Sequence, residues 1–534
     1  MSYDAAWSKN EKLNEVEVIK IEKDGLDVIE TIIEKYSKEG YDSITAEDMN
    51  RFKWAGVYEQ KPKNGYFMMR VRINSGIMSS EQANILALIA KDYGRGIANV
   101  TTRGAVQFHW IRVQDLPYIF ERLKACGLSS FEACGDCPRT IVGNPLAGID
   151  KDELMDTTEI VEEVNQLFLR NKDFSNLPRK FKISISASTR NAAHAQINDI
   201  AFTPTVKNIG GKEVIGFHVW VGGGLSAIPY LAQKLNIFVK PEEVVKVAKG
   251  VCTIFRDYGY REKRTRARLK FLVADWGIEK FKSKLLELIG EMPNMGEDKR
   301  SSWNASYYFG VHSQRQKGKS YIGINLPLGE ISSHQLLELA DISAKYGDDK
   351  LRTTLSQNLI ITGINDEDVE FLLRMDIFKN LSPSPDAFMG YTVSCTGKEF
   401  CNLAIVETKE LAKKVTKYLA SKIELDTPIR IHFTGCPNSC GQKHIADISL
   451  QGAVIKTENG NEDAFTLWIG GTLSGNGKFA ENLNYRVKAD EVHIVLEKII
   501  LFFKDNKLEN ETFTDFIDRV EIGEVKNNIL SIEN

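Results

Sequence analysis

The sequence predicts an internally duplicated, pseudo-twofold α+β protein built from mixed sheets in three domains. Three observations predict it. The segment Gly76-I-M-S-S-E-Q-A-N-I-L-A-L-I-A-K-D-Tyr93-Gly94 returns as Gly329-E-I-S-S-H-Q-L-L-E-L-A-D-I-S-A-K-Tyr346-Gly347, at a constant offset of 253 residues. Further on, Asn198-Asp199-Ile200 followed by Gly216-F-H-V-W-V-G-G-G-L-Ser226 matches Ala446-Asp447-Ile448 followed by Ala464-F-T-L-W-I-G-G-T-L-Ser474, both pieces at an offset of 248. Finally, 534 residues give room for roughly three domains. Chance similarity between two helices does not produce two constant offsets, and the period is far too long for a solenoid.

Each copy of the first repeat reads as a strand, a helix capped by Ser79 or Ser332, and a second strand. Ile85, Leu88 and Ile89 fall on one helical face, and each copy soon reaches a Thr-Thr pair, Thr101-Thr102 or Thr353-Thr354. Strands interleaved with helices in both halves give the α+β class. The first 50 residues are charged and helical in pattern, with no motif.

Composition excludes several classes. Apolar content of 43% and charged content of 26% are those of an ordinary globular chain. A net charge of −3 gives no support to general nucleic-acid binding. The run Asn84-I-L-A-L-I-Ala90 is too short and too closely flanked by charge to span a membrane. The opening M-S-Y-D-A-A-W-S-K-N lacks the basic-then-apolar layout of a secretory signal. Eight cysteines in so long a chain do not make a disulfide scaffold, so the expected location is cytoplasmic.

Four of those cysteines carry most of the functional information, and they occur in the second half alone: Cys395-T-G-K-E-F-Cys401 and Cys436-P-N-S-Cys440. A cubane iron–sulfur cluster needs one thiolate per iron, and two loops giving two thiolates each meet that need. Glycines on both sides of the second loop let its backbone wrap a bulky core. The spacing favours a cluster over a structural zinc site, whose loops space cysteines by two to four residues; buried unligated thiols are the third reading. Cys134 and Cys137 form a C-x₂-C pair just before Arg139, without the βαβ context of a redox motif, and read as pocket lining. Cys126 and Cys252 lie in apolar stretches and read as core. The run Arg261-E-K-R-T-R-A-R-L-Lys270, Arg268 excepted, reads as a basic face turned to solvent or to an acidic partner.

Taken together, C-T-G-K-E-F-C, T-G-C-P-N-S-C-G, F-M-M-R-V-R, T-T-R-x-x-x-Q-F-H, R-T-I-V-G-N-P-L-A-G, L-P-R-K-F-K and V-G-G-G-L-S resemble the siroheme-dependent sulfite and nitrite reductase family, from about Trp54 to the C-terminus. The resemblance implies siroheme and a [4Fe-4S] cluster held by Cys395, Cys401, Cys436 and Cys440, with Cys440 also the axial ligand of the siroheme iron. It implies cofactor contacts from Arg103, Gln107 and His109 on one strand, and from Arg179, Arg268 and Asn438. Siroheme carries many carboxylates, and the planar fork of arginine pairs with them well. Alternation puts Arg103, Ala105, Gln107 and His109 on one face, and with cysteine as the iron ligand His109 becomes a hydrogen-bonding neighbour.

For the substrate side the resemblance points to Arg70, Arg139, Lys180 and Lys182, cations that would hold an oxyanion, stabilise charge as oxygen leaves, and relay protons. Arg70 rather than Arg72 faces inward by motif position. Lys180 and Lys182 flank Phe181 and project to the same side. Relatives that reduce nitrite tend to show Asn where this chain has Lys182, which favours sulfite, reduced to sulfide, over nitrite, reduced to ammonia. No flavin or nicotinamide fingerprint is visible, so ferredoxin is the implied electron donor, and the N-terminal residues would dock on the body or on that donor. A non-catalytic iron–sulfur protein for electron transfer or redox sensing would have no use for the four substrate-side cations. The expected division is an N-terminal extension over 1–64, duplicated ferredoxin-like halves over 65–131 and 310–378, a siroheme and substrate domain over 132–309, and a cluster and siroheme domain over 379–534.

Overall fold

A computed structural model describes residues 12–301, 303, 307–458 and 460–530; the first eleven residues of the N-terminal extension lie outside it. The duplication is visible strand by strand. One sheet orders its strands Val57–Glu59, Tyr66–Val71, Val106–Arg112, Ile97–Val100 and then Glu330–Ser332. Its mate orders Gly310–Ser313, Lys319–Ile324, Leu359–Asn365, Lys350–Thr353 and then Ile77–Ser79. Each half therefore closes its sheet with an edge strand taken from the other half, through Glu330↔Asn99 on one side and Arg352↔Ile77 on the other. Exchanged edges leave no unpaired strand at the junction and join the halves into one body.

The exchanged strands lead directly into the helices Ser80–Tyr93 and Ser333–Tyr346. Both begin with a reciprocal capping box, Ser79 with Gln82 and Ser332 with Gln335, which satisfies two of the amide groups a helix start leaves open. The two helices pack on each other over a single apolar core that takes residues from both halves, among them Leu86, Ile89, Leu336 and Leu339.

A second pair of sheets repeats at the other offset. Ile183–Ile185 runs parallel to Ile200–Ile209, which continues antiparallel through Lys212–Val221 and Gln233–Val239. Ile431–Thr434, Ile448–Thr457, Gly460–Ile469 and Glu481–Lys488 do the same. The register is conserved to the residue: Ile183↔Ile200↔Val221 in one half and Ile431↔Ile448↔Ile469 in the other. Helices Val244–Tyr258 and Val492–Asn506 keep the same offset, and each covers its own sheet.

The N-terminal segment packs on the body of the protein. Its helices Glu15–Glu22, Ile33–Glu39 and Ala46–Arg51 bury Ile19, Ile33 and Tyr36. They also bury the charged residues Glu17 and Lys20, an arrangement that hydropathy alone does not forecast. The basic run from Arg261 to Lys270 departs from its solvated reading for the same reason. Arg261 is fully buried against Glu17, and the Lys270 ammonium lies among the carbonyls of Gly224, Leu225 and Ile228. Cys252 lies in the core as expected, whereas Cys126 is only half-buried beyond a helix end.

The crossings between the halves depend on two glycines. Gly76 and Gly329 have φ of +77° and +76°, and a β-carbon on either would lie 2.2 Å from Thr353 O or 2.5 Å from Val100 O. Left-handed backbone costs other residues about 1–2 kcal/mol before any clash. Gly76→Ala and Gly329→Ala are each expected to destabilise the protein by about 2 kcal/mol or more in urea unfolding, and Gly127→Ala, where φ is +74° and the space is open, by less.

Candidate cofactor and oxyanion site

The cysteine loops hang from the parallel strands Thr392–Ser394 and Ile431–Thr434. Cys395 follows the first strand and Cys436 follows the second, so parallel pairing delivers one thiol from each loop to the same sheet end. The Gly435 amide donates to Cys395 Sγ at 3.2 Å, and Thr408 Oγ1 lies 3.8 Å from the same sulfur. Asn438 donates to Cys436 through its backbone and its side chain. Burial first, then the neighbouring Cys440, pushes Cys395 up to about 11; Cys436 is raised by burial and by Cys440 and Cys401. Cys440 neighbours Cys395 and Cys436, Cys401 neighbours Cys436, and N–H donors reach Cys395 and Cys436. Among the described residues no three of these thiols stand close enough to hold one metal ion, and their chemistry suits a cluster whose charge would pull the thiols to thiolates. A β-carbon on Gly441 would meet Phe433 O at 2.3 Å, so the loop closes as tightly as its sequence suggested. Cys440 is the exposed member. Its carbonyl accepts from Thr102 Oγ1 at 3.2 Å, and Gln442 Nε2 donates to Thr102 O at 3.3 Å, so the loop is tied to the opposite half.

Facing this loop is a concentration of positive charge. Arg70, Arg103, Arg139, Lys180, Lys182 and Arg268 influence one another's ionisation, and Asp199 is the carboxylate among them. Burial, followed by Arg268, lowers Lys180 to about 7. Lys182 is pushed well below its ordinary value by burial, then by Arg103 and Lys180. Arg103 falls to about 9, mainly through burial and Arg139. Among the described residues the side-chain nitrogens of Lys180 and Lys182 have no hydrogen-bond or ion-pair partner, and Arg70 Nε and Arg103 Nε are buried without one. Cationic groups this crowded and this poorly paired need either an anion or, for the lysines, the loss of a proton. Siroheme, with its rim of carboxylates, and a small oxyanion both meet that requirement.

The structure shows what each expected site residue touches, and it moves Arg103 off the strand. Arg103 lies in the turn before the strand, which begins at Val106, so it does not alternate with Gln107 and His109. Its guanidinium instead reaches across to Asn198 Oδ1 at 2.8 Å and Thr140 O at 2.8 Å. Arg268 uses Nε and Nη2 on Asp199, at 3.2 and 2.8 Å. Arg179 turns to Asp136 at 3.3 Å, beside Arg264. Arg139 donates to the carbonyls of Ala133 and Gly135 at 2.6–3.0 Å, which leaves part of its fork for another acceptor. Arg72 is buried on carbonyls and Asn165, so Arg70 is the inward member of that pair. Cys134 is fully buried and its sulfur accepts from Arg70 Nη1 at 3.5 Å, and Cys137 is buried with its thiol donating to Cys134 O.

Gln107 and His109 form part of a directed chain. Arg70 Nη2 donates to Gln107 Oε1 at 3.0 Å, Gln107 Nε2 to His109 Nε2 at 3.0 Å, and His109 Nδ1 to Gln60 Oε1 at 3.2 Å. That order requires the Nδ1–H tautomer. Burial, with Lys409 and Arg70 nearby, lowers His109 to about 3 and keeps it neutral. Its ring stacks on Phe400 of the cysteine loop at 4.0 Å, and Gln107 Nε2 also reaches Thr396 Oγ1 at 3.4 Å. Sequence reasoning missed Tyr58, which burial raises to about 12 and which bonds to Arg139. It also missed Asp199 as a charge partner, although Asp199 stood inside a matched repeat.

The comparisons agree with this geometry. The model of the nitrite and sulphite reductase 4Fe-4S domain matches residues 134–292 and 387–533. That of the nitrite/sulfite reductase ferredoxin-like half domain matches 58–126 and 312–375. A ferredoxin–nitrite reductase of Synechococcus elongatus is 36% identical over 93% of this chain and 98% of its own. A sulfite reductase [ferredoxin] of Mycobacterium tuberculosis is 36% identical over 98% and 97%. The solved structure of the Mycobacterium tuberculosis NirA protein superposes with a TM-score of 0.91 at 34% identity, covering 98% of this chain and 99% of that one. The chain belongs to the nitrite and sulfite reductase family, oxidoreductases that carry siroheme and a [4Fe-4S] cluster.

Proposed function

We propose that this chain reduces sulfite to sulfide in the cytoplasm, taking its electrons from ferredoxin. The observation that carries the reading is the pair of unpartnered ammonium groups, Lys180 and Lys182, on one side of the cation cluster. At an effective dielectric near 20, one charge about 4 Å away is worth about 4 kcal/mol before desolvation, and a doubly charged anion gains twice what a singly charged one does. Nitrite is the second reading, favoured by the nitrite reductases among the similar proteins.

When bound, siroheme and the cluster would supply redox chemistry and an iron for the oxyanion. Cys395, Cys401, Cys436 and Cys440 would hold the cluster, and Cys440 would also serve the siroheme. Arg70, Arg103 and the free part of Arg139 bind carboxylates or substrate oxygens. Lys180 holds a proton that it can release near neutral pH, as a donor to departing oxygen should. Lys182 adds positive charge beside it. The chain through Gln107 and His109 fixes the angle of Arg70.

Purified holoenzyme should show a siroheme spectrum and, with reduced methyl viologen, a higher kcat/KM for sulfite than for nitrite. A clear preference for nitrite would overturn the choice of substrate. Lys182→Asn should lower kcat/KM for sulfite about tenfold, or about 1.4 kcal/mol, and for nitrite by less.

A pH profile tests Lys180. Its pKa is lowered, so the cation is present below about pH 7 and lost above it. With nitrite, which stays ionised throughout the range, kcat/KM should fall above about pH 7. Lys180→Arg, which does not titrate there, should move that limb upward.

The donor would dock beside the cysteine loop. Lys61 and Lys63 stand beside the cysteine loop, with the Lys61 amide bonded to Phe400 O at 2.9 Å. The double variant Lys61→Glu, Lys63→Glu should raise KM for reduced ferredoxin several-fold and leave turnover with methyl viologen unchanged.

A further inference from the structure

A buried ion network connects the N-terminal helix Glu15–Glu22 to the two chain segments that present the substrate-side cations. Glu17 is fully buried, and its carboxylate accepts from Lys20 Nζ at 2.6 Å and from Arg261 Nη1 at 2.6 Å. Arg261 also donates to Asn176 Oδ1 and Asn176 O, both at 2.9 Å. The Lys20 ammonium has two further neighbours: it donates to Leu177 O at 2.8 Å and lies 3.7 Å from Asp136 Oδ2. Asp136 sits between Cys134 and Cys137, gripped by Arg264 at 2.8 and 3.1 Å, and its carbonyl accepts from the Leu177 amide at 2.9 Å.

Two short arms lead from this point to the site. Asp136 precedes Arg139 by three residues, and Leu177 precedes Lys180 by three residues. The arms are themselves paired, through Arg139 N to Phe181 O at 2.8 Å and Phe181 N to Cys137 O at 3.0 Å. One ammonium thus touches the root of both arms. As an anchor for a helix, an apolar side chain would serve at lower cost, since burying a lysine carries a desolvation penalty of several kcal/mol. An apolar side chain could not hold a carbonyl on one arm and a carboxylate on the other.

We propose that Lys20 is a positioning residue for oxyanion binding: by fixing Leu177 and Asp136 against each other, it sets how Lys180 and Arg139 face the substrate. The inference rests on the oxyanion site proposed above. Lys20→Met removes the ammonium and keeps most of the side-chain volume, while Asp136 keeps Arg264 and Glu17 keeps Arg261. Glu17→Gln disturbs the same network but leaves the Lys20 contacts to Leu177 O and Asp136 in place, and it serves as the comparison.

The test uses holoenzyme and titrates sulfite and nitrite against the siroheme absorption bands, with steady-state KM and kcat and a thermal melt alongside. Small misplacements propagated into a site cost up to about a hundredfold. Lys20→Met is expected to weaken anion binding and raise KM about tenfold, with an unchanged spectrum before anion is added. Glu17→Gln is expected to lower the melting temperature while binding stays within about twofold of wild type. Lys20→Gln, which retains a donor for the Leu177 carbonyl, is the milder variant and should weaken binding by less than Lys20→Met. Wild-type affinity in both Lys20 variants, with only the melting temperature lowered, would overturn the proposal. A wild-type spectrum that responds to neither anion would overturn the oxyanion site itself, and the positioning role with it.

Discussion

Repulsion among buried cations is the constraint on which the rest of this structure depends. Arg70, Arg103, Arg139, Lys180, Lys182 and Arg268 come from separate stretches of chain, and left to themselves they would push those stretches apart. Asp199 offsets part of that repulsion: it takes Arg268 in a two-point grip and also accepts the Lys182 amide at 2.8 Å. Loss of a proton from the two lysines or the binding of an anion meets the remainder. Cofactor loading is therefore expected to contribute to folding stability, because a ligand that binds only the native state shifts the equilibrium toward it.

The twofold relation shows how one half acquired this task and the other lost it. Asp199 and Asp447 are mates, and so are Lys182 and Arg430: each carboxylate accepts the amide of its partner at 2.8 Å. In the second half, however, Arg430 itself closes on Asp447, while in the first half Arg268 takes the carboxylate and Lys182 stays free. A small cavity at the mirror position is bordered by Trp303, Tyr307 and Leu355, with the Arg430 guanidinium 4.6 Å from the Trp303 ring. Leu355 takes the place after the Thr-Thr pair that Arg103 holds in the first half. A paired arginine, aromatic filling and a leucine in place of an arginine remove the unmet charge. The two halves share strands and register and differ in whether their cations are neutralised internally.

The parts of this arrangement that are local in sequence were legible. Ser79 and Ser332 predicted helix starts because a cap is a relation over three residues. The offsets of 253 and 248 predicted duplicated sheets because register follows residue spacing. The cysteine loops announced a cluster because thiol spacing is a geometric demand. What was not legible depends on partners far along the chain. Arg261 looked like surface charge until Glu17, 244 positions away, was seen to be buried with it. Arg103 looked like a strand residue because alternation was extended through Thr102 and Gly104, where a glycine with φ of +67° makes a turn instead. The exchange of edge strands was equally hidden, since each short strand fits either sheet by pattern.

The route between the cysteine loop and the substrate side follows from the same balance of charge. A protonated histidine beside Arg70 and Lys409 would add to the repulsion, and burial drives His109 to the neutral form. Once neutral it must have one donor and one acceptor nitrogen, and Gln60 and Gln107 fix which is which. Gln107 then has its oxygen free for Arg70, so the orientation of that guanidinium traces back to Gln60, three hydrogen bonds away. The His109 ring, held in that plane, lies flat on Phe400 between Glu399 and Cys401. Phe400, His109, Gln107 and Arg70 thus form one continuous line of contacts from the cysteine loop to the cation cluster.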